Sequence, residues 1–216
     1  MVKWSFSGLK DFTNCPRQYH EVKLLQNYVK PVTEKMQYGT DVHKALEDYA
    51  RDSTPLPLFY QKYQPQVDAL LEISGDKYLE YKMALTSDLK PCAFDAPDYW
   101  VRGIVDFMVV DGDTAYIVDY KTGSHRYADT KQLKLMALMT FALFPAVQHI
   151  KAALLFITKG GFSSEEYTRD QIGKLWEAFG SDLAWLEKAY ETDSWPARPN
   201  VFCRNCPVSV CEYHRG

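Results

Sequence analysis

The strongest constraint on the fold lies in two apolar segments joined by Asp111-Gly112-Asp113. They read DYWVRGIVDFMVV before the joint and TAYIVDYKTG after it. Asp-Gly between two apolar runs is the strongest short-range signal for a β-hairpin. We therefore predict that the two segments form adjacent antiparallel strands, which any fold of this chain has to include.

The predicted hairpin carries charged side chains inside strands that are otherwise apolar. Asp119 and Lys121 are two residues apart, so their side chains leave the strand on the same side. A tight turn pairs residues whose numbers sum to about 224, which places Asp106 opposite about Val118. A small bulge or strand bend then brings the carboxylates of Asp106 and Asp119 together.

Two readings fit these charges. An Asp119–Lys121 ion pair on an exposed strand face would contribute little, and such pairs are common. Two converging carboxylates instead repel each other unless a cation lies between them, and hard oxygen ligands suit Mg²⁺ or Mn²⁺. Lys121 beside such a site would orient a water molecule and stabilise the negative charge that grows on a phosphate.

The other segments predict helices around the hairpin and a second pair of strands. A short helix is expected after Ser7 as its N-cap, and a second helix over roughly residues 33–51 places His43 and Glu47 one turn apart. The further predicted elements are a helical stretch over about residues 61–81 that merges into a strand near YKMALT, a helix in TKQLKLMALMTFALF, strands on both sides of Lys159-Gly160-Gly161, and a long helix in RDQIGKLWEAFGSDLAWLEKAY. This order predicts one α/β domain over residues 1–216, with a mixed central sheet flanked by helices.

Composition narrows the class of protein. Of the 216 residues, 46% are hydrophobic and 25% are charged, as in a globular domain. The longest apolar runs, such as AALLFI, are too short to cross a membrane, and the first ten residues lack the apolar core of a secretory signal. We therefore expect a cytoplasmic protein without membrane partners, or one in the host cytoplasm if it is viral. The formal net charge of −3 argues against a nonspecific nucleic-acid coat, although an enzyme needs only a local basic groove.

Four of the five cysteines have the pattern of a metal site. They are Cys15, Cys203, Cys206 and Cys211. The last three have the spacing C-x2-C-x4-C, and the first precedes a proline. A tetrahedral zinc site and an iron–sulfur cluster both need four ligands, and this spacing suits either. His214 is an alternative fourth ligand that would favour zinc, whereas Cys92 has no clustered partner and is interpreted as structural.

Four short motifs then follow one another along the chain. They are Gly-x-x-x-His in GTDVH (Gly39 and His43), Gly-x-x-Asp in GIVD (Gly103 and Asp106), Asp-x-Lys-Thr-Gly in DYKTG (residues 119–123), and a helix that opens with Gln132-Leu133. Together they resemble the core of the PD-(D/E)xK nucleases in their RecB-like form. Met136 stands where that family usually has a tyrosine, four residues after the glutamine.

The resemblance implies a restriction-endonuclease-like core, a single RecB-like nuclease domain, and roles for individual residues. The implied metal ligands are His43, Asp106, Asp119 and the backbone carbonyl of Tyr120, and the implied catalytic residues are Asp106, Asp119, Lys121 and Gln132. The implied activity is Mg²⁺- or Mn²⁺-dependent hydrolysis of phosphodiester bonds from single-stranded or duplex DNA ends.

The cysteine pattern is also similar to that of the RecB-like iron–sulfur exonucleases, which include the CRISPR-adaptation exonuclease family and the AddB nuclease domain. In these proteins one N-terminal and three C-terminal cysteines surround a [4Fe–4S] cluster. The resemblance implies a structural cluster on the four cysteines, in a region formed by roughly residues 5–30 and 195–216 that joins the two chain ends. It also implies a phage or CRISPR-associated enzyme that acts alone, as a homo-oligomer, or with recombination or CRISPR-adaptation partners.

Two other functions remain open at this point. The same fold would also suit a DNA-end-binding or adaptation subunit with little or no nuclease activity, although Asp106, Asp119 and Lys121 argue against a purely structural role. A zinc-containing DNA or RNA binder is disfavoured, because the chain has neither a basic surplus nor an aromatic RNA-binding motif.

Overall fold

A computed structural model describes residues 1–124 and 129–215, which form two compact units. The first unit comprises Met1–Thr33 with Glu177–Gly216, and the second comprises Glu34–Trp176. Gly216, the last residue of the predicted cluster region, lies outside the described residues. Within the described ranges, no helix has the length and apolarity that a membrane crossing requires.

A five-stranded sheet in the order β1-β2-β3-β4-β5 forms the centre of the second unit. The strands are β1 (Asp76–Leu85), β2 (Val101–Asp111), β3 (Thr114–Lys121), β4 (His149–Phe156) and β5 (Phe162–Thr168). All neighbours pair in antiparallel fashion except β3 and β4, which are parallel and therefore need a crossover between them. The predicted α/β class with a mixed central sheet is confirmed.

Helices cover both faces of this sheet. Side chains of a strand alternate between the faces, so apolar residues on each face need a helix to pack against. The helices of the chain are α1 (Phe6–Asn14), α2 (Pro16–Tyr19), α3 (Glu34–Asp52), α4 (Gln64–Leu71), α5 (Lys131–Leu143) and α6 (Ile172–Thr192). On one face, Phe107 and Val109 of β2 belong to the same apolar cluster as Val42 of α3. On the other face, Met108 accepts a hydrogen bond at 3.6 Å from the hydroxyl of Thr140 in α5. Helix α5 is thus the crossover that connects the parallel strands.

The predicted hairpin is present, with a register that differs from the prediction by one residue. Asp111 pairs with Thr114, and Gly112 in the turn has a φ of 60°, which glycine adopts without strain. Val118 therefore lies opposite Phe107, whereas the sequence placed it opposite Asp106.

The predicted helical stretch over residues 61–81 is wrong in its second half. A 3₁₀ turn at Gln61–Tyr63 leads into α4, which ends at Leu71, and residues 76–85 form β1. The segment DKYLEYKMAL contains several good helix formers. Its pairing with β2, from Asp76↔Val110 to Leu85↔Val101, overrides that local preference.

The first unit contains α1, α2, the C-terminal part of α6 and the tail that follows it. Helix α1 is capped by Ser5, whose Oγ accepts the N–H of Gly8 at 3.2 Å, so the predicted cap Ser7 lies inside the helix. An aromatic cluster fills the unit, in which Phe12 contacts Trp185 with ring centroids 4.7 Å apart. Within this unit the segments near the two chain ends are therefore held together by apolar packing as well as by hydrogen bonds.

Candidate functional site

The predicted carboxylates Asp106 and Asp119 lie on the neighbouring strands β2 and β3. The Oδ2 atom of Asp106 accepts the backbone N–H of Tyr120 at 2.6 Å. This bond fixes the Asp106 carboxylate beside β3, just beyond the last paired residues of the hairpin. The structure thus describes the N–H of Tyr120 as a partner of Asp106, and a role for its carbonyl stays a prediction.

Asp119, Lys121 and Gln132 form a closed polar network. The Nζ atom of Lys121 lies 2.5 Å from Oδ2 of Asp119 and donates to Oε1 of Gln132 at 2.9 Å. The Nε2 atom of Gln132 donates to Oδ1 of Asp119 at 2.7 Å. Because Asp119 is only 4% exposed, the reading of an exposed surface ion pair does not apply.

His43 of α3 is brought to the same place as the carboxylates. Its Nδ1 atom lies 3.4 Å from Oδ2 of Asp106, and its ring meets the ring of Tyr120 edge-on at 5.9 Å. The contact with Tyr120 restricts the orientation of the imidazole. The five predicted side chains therefore form two contacting groups, His43 with Asp106 and Asp119 with Lys121 and Gln132, and the N–H of Tyr120 links the second strand to Asp106.

Glu80 of β1 is a further member of the site that the sequence did not predict. Ligand atoms of His43, Glu80 and Asp106 all lie within 4.8 Å of one another, close enough to bind one cation. Glu80 is missing from the regular β1–β2 register and has a φ of 46°, an unfavourable backbone conformation for a non-glycine residue. Only the pairing of β1 with β2 places Glu80 beside Asp106, since Leu79 pairs with Phe107 and Tyr81 with Val105.

The electrostatics of the site favour a bound cation. Burial, followed by the charge of Asp106, raises the pKa of Glu80 to about 7. The same two causes, in the same order, raise the pKa of Asp119, against the lowering effect of Lys121. Burial alone would lower the pKa of His43, but the hydrogen bond and charge of Asp106 and the other carboxylates produce a net increase. A divalent cation would relieve this repulsion between buried carboxylates.

A cleft of about 1390 Å³ opens onto His43, Glu80 and Asp106. Helix α3 lines it from Glu34 to Glu47, and the segment from Thr122 to Ser124 also lines it. The helix approaches this segment closely at Gly39, where an added Cβ would lie 3.2 Å from Oγ1 of Thr122. Lys35 and Lys159 line the same cleft, so it contains positive charge as well as the acidic cluster.

The four predicted cysteine ligands meet in the first unit. Cys15, Cys203, Cys206 and Cys211 line one small cavity. His214, the alternative ligand, lines it too. Cys92 belongs to the second unit, in the segment after β1, and its backbone N–H donates to the carbonyl of Ala84 in β1.

Comparisons with known proteins agree with these features. The model of the PD-(D/E)XK nuclease superfamily matches residues 3–212. Among curated proteins, none matches the sequence closely enough to count as a relative. A crystal structure of a candidate exonuclease from Eubacterium rectale has the same fold, with a TM-score of 0.54 and 14% identity, over 97% of this chain and 86% of that one. The crystal structure of SSO0001 is similar to a lesser degree, with a TM-score of 0.43 and 12% identity, over 100% of this chain and 89% of that one.

Proposed function

The chain belongs to the PD-(D/E)XK nuclease superfamily, and from this premise we propose that it is a Mg²⁺- or Mn²⁺-dependent DNA exonuclease that also carries a structural [4Fe–4S] cluster. The proposal covers the five predicted ligand and catalytic side chains of the second unit, with Glu80 added, and the four cysteines of the first.

The donor set in the cleft fits a hard divalent cation. His43, Glu80 and Asp106 offer one nitrogen and two carboxylates within 4.8 Å of one another. The Oδ2 atom of Asp119 is buried and faces the Lys121 ammonium at 2.5 Å, so this carboxylate is already paired with a cation. The convergence of His43, Glu80 and Asp106 at the cleft is the observation that carries the proposal.

Each residue of the site has a distinct task in this account. The cation, when bound, polarises the phosphate and lowers the pKa of a water molecule. Lys121 lies next to the carboxylates, where its ammonium stabilises negative charge that develops on the phosphate and orients the attacking water. Gln132 holds Lys121 and Asp119 by one hydrogen bond each, so it keeps the lysine at the correct distance. Lys35 and Lys159 neutralise backbone phosphates of the DNA in the cleft.

Action on DNA ends is supported by similarity alone. The sequence resembles stand-alone RecB-like exonucleases, and the Eubacterium rectale protein that shares the fold is described as a candidate exonuclease. In the test, purified protein with Mn²⁺ is given equal amounts of linear DNA and covalently closed duplex circles. We expect the linear DNA to be degraded and the circles to survive. Rapid cleavage of closed circles would indicate an endonuclease, and DNA binding without cleavage would indicate an end-binding subunit.

The cysteine sulfurs are spaced more widely than a zinc ion requires, and the resemblance to the RecB-like iron–sulfur exonucleases favours an iron–sulfur cluster. A zinc ion at about 2.3 Å from four thiolates would hold each pair of sulfurs about 3.8 Å apart. In the described part of the chain, no three cysteine sulfurs lie within 4.8 Å of one another. A cubane cluster spaces its thiolates more widely because each thiolate binds a different iron atom. We therefore propose Cys15, Cys203, Cys206 and Cys211 as ligands of one [4Fe–4S] cluster that joins α2 to the tail.

A further inference from the structure

Backbone N–H groups of the tail point at two of the four proposed cluster ligands. The N–H of Arg198 donates to Sγ of Cys15 at 3.4 Å, and the N–H of Asn200 donates to Sγ of Cys203 at 3.4 Å. A neutral thiol is a weak acceptor, whereas a metal-bound thiolate is a negatively charged and much better one. These two donors are part of the main chain, so only a substitution to proline removes them.

Side chains of α2 point at the other two ligands. The Nε2 atom of Gln18 lies 3.4 Å from Sγ of Cys206, and Nη1 of Arg17 lies 3.9 Å from Sγ of Cys211. The Arg17 guanidinium also forms a close ion pair with Glu212, which restricts its position. Each of the four sulfurs therefore accepts one N–H donor, two from the tail backbone and two from consecutive residues of one helix.

We propose that Arg17 and Gln18 are positioning residues that set the reduction potential of the cluster through their hydrogen bonds to Cys211 and Cys206. This inference rests on the cluster of the proposed function and extends it, because that function requires only a structural cluster. It adds that hydrogen bonds from two side chains of α2 control the reduction potential of the cluster.

The direction of the effect follows from charge. The relevant couple is the one-electron step between [4Fe–4S]²⁺ and [4Fe–4S]⁺, in which an external low-potential reductant supplies the electron and no bond forms or breaks. The added negative charge spreads onto the sulfurs, so N–H donors stabilise the reduced state more than the oxidised one. Loss of either side-chain donor should therefore make the potential more negative.

The test is a potentiometric titration of anaerobically purified protein, followed by visible absorption and electron paramagnetic resonance, with iron content measured on each sample. Gln18→Leu and Arg17→Gln should each shift the potential to a more negative value at unchanged iron content. Gln18→Glu, which keeps the shape of glutamine but lacks the N–H donor, should shift it further in the same direction because it adds negative charge. If Gln18→Leu fails to take up iron, the potential of Gln18→Glu tests the role of the Gln18 hydrogen bond instead.

Arg204→Gln is the matched control for Arg17→Gln, because Arg204 lies between Cys203 and Cys206 in sequence and its loss removes the same charge. It should shift the potential less than Arg17→Gln does. Equal shifts in these two variants, or unchanged potentials in all variants that contain iron, would overturn the inference and leave the proposed cluster intact. Wild-type protein that binds no iron would overturn the cluster itself, and the inference with it.

Discussion

Glu80 contributes a carboxylate to the proposed metal site at a cost to the stability of the fold. Its backbone has a positive φ and its carboxylate is half-buried beside Asp106. Burial and this neighbour raise its pKa from 4.5 to about 7. The folded protein therefore binds the Glu80 proton more tightly than the unfolded chain does, and this residue makes stability fall as pH rises from about 4.5 through about 7.

Glu80→Gln should therefore stabilise the metal-free protein at high pH. Above pH 7 the gain in the free energy of unfolding should be on the order of 1–2 kcal/mol, a value reduced for solvent screening in the open cleft. Below the unfolded pKa the gain should vanish, because Glu80 is then protonated in both states. The measurement is Tm against pH in the presence of a chelator.

Glu72→Gln serves as the control for this prediction, because Glu72 is exposed at the end of α4. It should leave the pH profile unchanged. A Glu80→Gln profile parallel to that of the wild type would show that Glu80 does not titrate as described. Addition of Mn²⁺ should stabilise the wild type more than Glu80→Gln, since only the wild type offers the carboxylate ligand.

The residues of the site were predictable from the sequence to different degrees. Asp119 and Lys121 could be placed on one side of a strand because the side-chain period of a strand is two. Their contact with Gln132 required the resemblance to a family, since nothing local connects residues 121 and 132. Glu80 could not be found, because its segment has the composition of a helix and only the pairing with β2 makes it a strand.

At the scale of elements, the approach of α3 to the end of β3 sets the geometry of the site. Gly39 lies one turn before His43 on α3, and a Cβ at Gly39 would be 3.2 Å from Oγ1 of Thr122, just after β3. Alanine is intrinsically better than glycine in a helix by about 0.5–1 kcal/mol. The contact with Thr122 therefore explains why this helix position favours glycine.

Gly39→Ala should displace α3 slightly and lower kcat/KM for linear DNA several-fold, on the order of 1 kcal/mol, with little loss of stability. In the background of Thr122→Ala, which removes the Oγ1 atom, the same substitution should have almost no effect. The four proteins of this double-mutant cycle give the coupling directly. An equal loss in both backgrounds would place the cause in the helix itself and not in its contact with Thr122.

The element order was predicted well where local signals agree with the fold. Helix α3 was expected over residues 33–51 and runs over Glu34–Asp52, and the Asp-Gly turn correctly indicated the hairpin. The boundary between α4 and β1 was wrong because long-range pairing decided it. The N-cap of α1 was assigned to Ser7 when Ser5 fills that position, since two serines of equal capping ability lie two residues apart.

At the scale of the whole molecule, the proposed cluster binds residues from the beginning and the end of the chain. Cys15→Ala should remove the bound iron and lower Tm, because a metal site that joins distant segments contributes its binding energy to folding. Cys92→Ala should keep the full iron content, because Cys92 lies in the other unit. Iron analysis and thermal unfolding of both variants form the measurement.

Hydrogen bonds independent of the cluster moderate this effect. The Arg198 guanidinium donates to the carbonyl of Thr13 at 2.7 Å, and the Asn200 amide donates to that of Asn14 at 3.0 Å. We therefore expect Cys15→Ala to remain folded at low temperature. Full metal content and an unchanged Tm in Cys15→Ala would contradict the four-cysteine site and favour a zinc site that uses His214.

The most direct measurement of the central claim is the Mn²⁺-dependent release of nucleotides from linear DNA by the wild type, Asp119→Asn and Asp111→Asn. Asp119 is buried and paired with Lys121 in the polar network of the proposed active site, whereas Asp111 is exposed at the end of β2. We expect the wild type and Asp111→Asn to degrade the DNA at similar rates, and Asp119→Asn to be slower by about 10²-fold or more. Undiminished activity of Asp119→Asn, or activity of the wild type that persists in a chelator, would contradict the assignment of this protein as a metal-dependent nuclease.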